Sequence, residues 1–390
     1  MYGDIGHGFI LLLFATWMVW NERKLAKIKE EIFSIFFSGR YIILLMGLFS
    51  IYAGLIYNDV FSKSINLFGS GWLIQYNTST VLGNTELQLS PATKEHTYAM
   101  GLDPVWQFAE NQIVFLNSYK MKLSIILGVA HMLLGICMSV VNFVHLKKKL
   151  HILFDFVPQL IFLLFLFGYL VFMMFFKWIK YTDKSDELAL KPGCAPSILI
   201  IFINMVLFGH TAPLPGCDEH MFKGQYELQI VLLVMALLCI PWMLFARPLY
   251  IRHQRRHGTV SSDEPFGEIL IAQTIHTIEF VLSTVSHTAS YLRIWALSLA
   301  HSQLSDVLWK KMLNFGFILP LGYFNVIAIF ILFPVWAVLT LGILVVIEGL
   351  SAFLHTMRLH WVEFMSKFYK GEGYIYQPFA FKVLLQTKVE

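Results

Sequence analysis

Long apolar stretches dominate the chain, separated by short polar punctuation. Runs that match the ~20 residues needed to cross a bilayer lie at about 41–57, 119–143, 153–179, 228–247, 267–309 and 320–347. The run at 8–20 is shorter and would complete a span begun upstream of Met1. "SILIIFINMVLFG" at 197–209 is short and flanked by proline-bearing loops, which predicts a re-entrant or interfacial segment. The 267–309 run exceeds one perpendicular crossing, so a long, tilted or broken helix is expected there. The pattern predicts an all-α multi-pass membrane protein. It has about seven to eight transmembrane helices in a single membrane domain, 1–390, with its two longest helices at 267–309 and 320–360.

The polar punctuation sets an orientation. Arg23, Lys24, Lys27, Lys29 and Arg40 crowd one loop, Lys147, Lys148 and Lys149 a second, and Arg247, Arg252, Arg255 and Arg256 a third. Positive charge marks the cytoplasmic side. That makes 248–266 a cytoplasmic loop and 361–390, with Lys367 and Lys370, a cytoplasmic tail. The loops 58–118, 180–227 and 310–319 then lie on the other side. "NTS" at 77–79 offers Asn77 as a glycosylation acceptor within one of those loops, in agreement with this orientation.

Composition narrows the class. Charged residues make up 14% of the chain and hydrophobic ones 57%, whereas soluble domains carry about 25% charge. The net charge of +4 sits in separate loops rather than on a continuous basic face, which excludes nucleic acid. Cys137 and Cys239 fall inside apolar runs as packing residues. Cys194 and Cys217 share one loop: they bridge if it faces an oxidising compartment, and otherwise stand as two thiols. The opening "MYGDIGHGFILLLFATWMVW" has no basic n-region and no cleavage site. With Asp4 and His7 so early, it suggests a chain that starts partway through a longer one.

Against this apolar background, an arginine at mid-membrane costs at least ~2.5–3.5 kcal/mol, so Arg293 calls for a reason. On a helical wheel with Arg293 at the origin, Ser286 falls at about 20°, Glu279 at about 40°, Ser290 at about 60°, and both Ser283 and His301 at about 80°. His287 borders the stripe at about 120°. Around Arg358 the last span repeats the pattern, with Ser351 at about 20°, His355 at about 60° and Glu348 at about 80°. Intramembrane ionisable groups usually face a bundle interior or a wet cavity and mark ion paths.

Glutamate and histidine exchange protons near neutral pH after modest tuning, whereas arginine holds its charge and favours an ionised carboxylate beside it. At about 1.5 Å per residue, Glu279 lies about 21 Å to the cytoplasmic side of Arg293 and His301 about 12 Å beyond it. Glu348 and His355 lie about 15 Å and about 5 Å to the non-cytoplasmic side of Arg358. If the arginines share a depth, polar groups approach them from both membrane faces, as two half-paths meeting a positive barrier. No metal site is expected, because the histidines are spread along their helices and neither HExxH nor CxxC occurs. No nucleotide loop or cofactor motif is present, so energy must come from an ion gradient or another polypeptide. Two other classes remain: an independent multi-pass solute transporter, and a scaffold whose buried charges only fix helix packing.

The blocks "YGDIGHG" at 2–8, "GRYIILLMGLFSIYAGLIYNDVFSK" at 39–63 and "NSYKMKLSIILG" at 117–128 carry a family resemblance. It continues through "HTIEFVLSTVSHTASYLRIWALSLAHSQLSDVLW" at 276–309 and "RLHWVEFMSKFYKGEGYIYQPFAF" at 358–381. Together they resemble the membrane domain of subunit a of the vacuolar-type proton ATPase. The resemblance implies a stator subunit of the Vo sector, with ATP hydrolysed on other subunits. Its two long C-terminal helices would face a proteolipid ring with buried carboxylates. Arg293 matches the essential family arginine and Arg358 its companion. Glu279 and His287 match positions of a cytoplasmic half-channel, and His301, Glu348 and His355 are assigned to a luminal one. Implied partners are the ring, other Vo subunits, the lipid membrane, and the V1 sector and stator stalks through an N-terminal domain absent from this sequence. The implied location is an acidic endomembrane compartment or the plasma membrane.

Overall fold

The computed structural model describes residues 3–28, 30–84, 86–88, 96–257, 265–318 and 322–371. Lys29, the 258–264 part of the basic loop and the tail beyond 371 lie outside the described residues. Eight principal helices organise the chain: α1 (Ile5–Trp20), α2 (Arg40–Tyr57), α3 (Gln112–His145), α4 (Lys149–Lys180), α5 (Ile198–Leu207), α6 (Gln225–Arg256), α7 (Phe266–Ile318) and α8 (Asn325–Phe368). All but α1 and α5 are long and apolar enough to cross a membrane. Among the described residues the only β pairing is two isolated bridges, Val60–Lys63 and Leu87–Ala109.

Several helices outrun their sequence-predicted bounds. α6 continues nine residues past Arg247, and α8 continues into the segment read as tail, through Phe368. Polar residues at a membrane boundary end an apolar run without ending a helix, since the backbone bonds are satisfied within the helix itself.

α1 begins where Asp4 accepts hydrogen bonds from the Gly6 and His7 amides at 2.9 and 3.5 Å, an N-cap that satisfies otherwise orphaned donors. α1 then lies along α2. A Cβ on Gly54 would come within 2.6 Å of the Ile5 nitrogen, and one on Gly47 within 3.0 Å of the Leu12 nitrogen. Small residues let membrane helices approach this closely, where dispersion rather than a hydrophobic force holds them. α3 is the central strut and touches α4, α7 and the end of α8. The main core joins Met132 and Ile136 of α3, Leu163 of α4, Met243 of α6, and Phe280 and Tyr291 of α7. A second cluster seats α5 against α4 and α6 through Met205, Met173 and Leu233. α5 has 10 residues, about 15 Å of rise, and is too short to cross.

Irregular winding occurs in α4, over Ile152–Phe156 and Leu164–Gly168, and in both α7 and α8. The α-helical hydrogen bonding of α7 is interrupted at Tyr291, two residues before Arg293. There the Ile294 amide donates to the Tyr291 carbonyl, an i−3 bond. α8 is π-wound over Thr340–Ile347 and Leu359–Phe364, and α-helical between them over Glu348–Arg358. π-bulges occur most often at functional sites. α7 and α8 form an antiparallel hairpin. Below, the end carrying the basic loops is called the basic side and the opposite end the loop side.

Candidate functional site

On the loop side the two hairpin helices meet at a pair of titratable groups. His301 of α7 and Glu348 of α8 approach at 2.5 Å between Nδ1 and Oε2. The His7 ring of α1 stands edge-on to the His301 ring, with centroids 5.1 Å apart. His7 is paired through Nδ1 with Asp4 Oδ2 at 2.9 Å, and both side chains are fully buried. The Phe61 amide, beyond the end of α2, donates to the other Asp4 oxygen at 3.1 Å. Next to this group, buried Lys120 of α3 donates to the Ser298 carbonyl at 3.4 Å and lies over the Tyr57 ring. Burial and the Asp4 carboxylate push the Asp59 carboxyl, just past α2, up to about 7 against the pull of Lys120. Residues from five helices, α1, α2, α3, α7 and α8, thus form a polar knot near His301.

A second rung fixes the level of the arginines. On the basic side, Lys367 of α8 donates to Thr284 of α7 at 3.4 Å and lies over the Phe280 ring. Nine residues separate Thr284 from Arg293, and nine separate Arg358 from Lys367. From the other rung, eight residues separate Arg293 from His301 and ten separate Glu348 from Arg358. On antiparallel helices these matched spacings bring Arg293 and Arg358 to about the same depth. Arg293 is half-buried and Arg358 exposed on the chain's surface. Buried Glu363 is attracted by both arginines, and its side chain hydrogen-bonds with Ser290.

The other sequence-selected residues fall as follows. Glu279 and Ser286 are exposed, and Ser283, His287, Ser290, Ser351 and His355 are half-buried. Ser283 and Ser290 donate to carbonyls of their own helix, to Glu279 at 2.5 Å and to Ser286 at 3.1 Å, a local back-bond open to mid-helix hydroxyls. His287 is acted on electrostatically by Lys367, and its Nδ1 has no hydrogen-bond partner. Since α7 is interrupted at Tyr291, Glu279, Ser283, Ser286, His287 and Ser290 precede the break and His301 follows it. One continuous wheel therefore does not describe that stripe, whereas the Glu348–Arg358 stripe lies on unbroken α-helix. Tyr291 is held in place by α3: its hydroxyl meets His131 Nδ1 at 2.6 Å, and its ring covers Gly128, where a Cβ would approach to 2.6 Å. Asn77 is exposed immediately before the short helix Thr78–Gly83. Cys194 and Cys217 are joined as a disulfide in the loop between α4 and α6.

Sequence spacing shows no close pair of histidines, but the fold makes one from α1 and α7. Asp4, His7 and His301 each offer a ligand atom within 4.8 Å of the others. That donor set suits a cation such as zinc, although Asp4 also serves α1 as its cap. Asp4, His7, Lys120 and Glu363 were not selected as site residues from the sequence. For the first two the signal was their early position on a membrane helix, and for Lys120 and Glu363 it was charge inside an apolar run.

The chain matches the V-type ATPase 116kDa subunit family over residues 1–264 and 252–381. It is 44% identical, over its whole length, to the mouse V-type proton ATPase 116 kDa subunit a 1, of which it covers 51%. The human V-type proton ATPase 116 kDa subunit a 4 is likewise 44% identical over the whole chain, with 51% of that protein covered. For the Caenorhabditis elegans subunit a 2 the figures are 42% identity, 99% of the chain and 53% of the relative. The chain thus spans about half the length of these relatives. With the family match running over nearly all of its residues, this multi-pass membrane protein belongs to the V-type ATPase 116 kDa subunit family.

Proposed function

We propose that the chain is the stator membrane subunit of a rotary proton pump's Vo sector. It would provide two proton half-channels and the arginine at which they meet. The observation that carries this reading is the common level of Arg293 and Arg358 between titratable groups that extend toward opposite sides. A ring carboxylate would enter protonated from the basic, cytoplasmic half-channel lined by Glu279, Ser283, Ser286, His287 and Ser290. ATP-driven rotation on other subunits would bring it round to the arginines. There the permanent positive charge favours its ionised form, because an opposite charge within ~4–6 Å lowers a carboxyl pKa. The released proton would leave past His301, Ser351, His355 and Glu348 toward the lumen. Arginine does not itself pass the proton on, because its pKa exceeds ~12. It therefore separates the half-channels and blocks a direct leak.

In this reading the chain works against a proteolipid ring alongside other Vo subunits and the V1 sector, in an acidic endomembrane compartment or the plasma membrane. Asn77 and the Cys194–Cys217 bridge would then lie in the lumen, which suits both glycosylation and oxidation. The test is proton flux in reconstituted complexes carrying Arg293→Ala or Arg293→Lys. Flux is expected to vanish in the first and to fall strongly in the second, with assembly intact. Normal pumping in both variants would sink the reading.

A further inference from the structure

The turn between α3 and α4 and the far part of α6 enclose a cavity of about 400 Å³ on the basic side. Lys147, Lys148, Lys149 and Arg247 line it, over an apolar floor that includes Leu150 and Phe154. No carboxylate is among its lining residues. The nearby Asp155 carboxylate is engaged by His151 at 2.6 Å. Phe154 is backed by the Tyr250 ring at 5.5 Å, so the floor is a packed surface. Arg247 is anchored by a 3.4 Å hydrogen bond to Gln273 of α7.

Two features set this cavity apart from ordinary loop charge. Lys147 has φ of +58°, the left-handed conformation that helix ends usually assign to glycine or asparagine. A lysine there gives up backbone ease and keeps a charge at the cavity rim. Depth is the second feature. Arg247 lies 22 residues beyond Gln225 along α6, about 33 Å of rise against a hydrocarbon core of ~30 Å. The cationic rim therefore sits at the headgroup level, with its apolar floor turned toward the acyl region.

From this juxtaposition we infer that the cavity binds the phosphate-bearing headgroup of an anionic phospholipid. Its volume falls in the ~300–1,000 Å³ range of small-ligand pockets, larger than a bare ion needs. Basic pockets between transmembrane helices on this side are suited to such headgroups. The site is separate from the arginine level and does not depend on the proton-path reading.

The complex as purified would be placed in nanodiscs of phosphatidylcholine alone or with phosphatidic acid, and its retained lipid identified by mass spectrometry. The wild-type complex is expected to retain phosphatidic acid in preference to phosphatidylcholine. At ~1 kcal/mol per cation, the double variant Lys147→Gln/Lys149→Gln should bind it about 30-fold more weakly. Lys147→Arg/Lys149→Arg should keep it, as should Arg23→Gln/Lys24→Gln in a different basic loop. Equal retention by wild type and the glutamine variant would overturn the inference. So would an equal loss in the Arg23/Lys24 variant, which would indicate diffuse surface attraction. Displacement by excess inorganic phosphate would overturn it too, by showing a soluble-anion site.

Discussion

The two ends of the α7–α8 hairpin are built from similar residue types but in opposite ways. On the loop side, His301 meets Glu348, His7 meets Asp4, and the two pairs lean together within the five-helix knot. On the basic side, Glu279 is exposed, His287 feels the charge of a lysine, and Ser283 turns back onto its own helix while Ser290 also reaches Glu363. The first end is a closed set of largely buried, mutually paired groups. The second is an open set whose members make few contacts with one another. An open set exposes its titratable groups directly, whereas in the closed set any proton would have to pass between paired side chains.

The contrast breaks most sharply if the closed end proves soft. His301→Leu leaves Glu348 without its partner, and breaking a buried pair costs about 3–5 kcal/mol. Because Glu348 keeps 21% exposure, the lower figure is expected, as a marked drop in the thermal midpoint of the detergent-solubilised chain. Glu279→Gln at the open end should cost no more than about 0.5 kcal/mol by the same measurement. Similar losses from both would erase the distinction.

Next comes pH. Asp59 has its carboxyl raised from 3.8 to about 7, so the fold prefers its protonated form. Its contribution to stability is present at low pH and is lost as pH rises from about 4 through about 7. Asp59→Asn should remove that part of the slope, so melting curves of variant and wild type converge toward low pH. Parallel curves across the range would refute it.

A smaller loss than that at His301 belongs to the tether between the two ends. Tyr291→Phe removes the hydroxyl that meets His131 while keeping the ring on Gly128, a loss of about 1 kcal/mol. Thermal unfolding of the same preparation checks it, and a midpoint equal to wild type would show that the bond contributes nothing.

Much of this architecture could be read from apolar periodicity alone. The spans follow from apolar runs, and the Glu348–Arg358 residues lie on one unbroken helix as the wheel assumes. What escaped is whatever depends on a distant neighbour. Nothing near His7 announces His301, since the contact arises only when α1 docks against the hairpin. Glu363 escaped for a different reason. Five residues after Arg358 it falls about 140° away on an α-helical wheel, off the stripe. The π-wound segment at Leu359–Phe364, with its i→i+5 bonds, carries it back toward the arginines. Helix ends were missed where charge stopped the apolar run but not the hydrogen bonding, as in α6.

The interruption at Tyr291 has a consequence for how this hairpin tolerates change. A continuous rod transmits rotation from end to end, so any twist at its basic end would turn His301 away from Glu348. A rod with an interrupted turn at Tyr291, two residues before Arg293, can absorb part of that twist. Each half is tied to α8 by its own contact, Thr284–Lys367 before the joint and His301–Glu348 after it. Drift in sequence, tilt or length can then accumulate before the joint while the arginine's bearing is preserved after it.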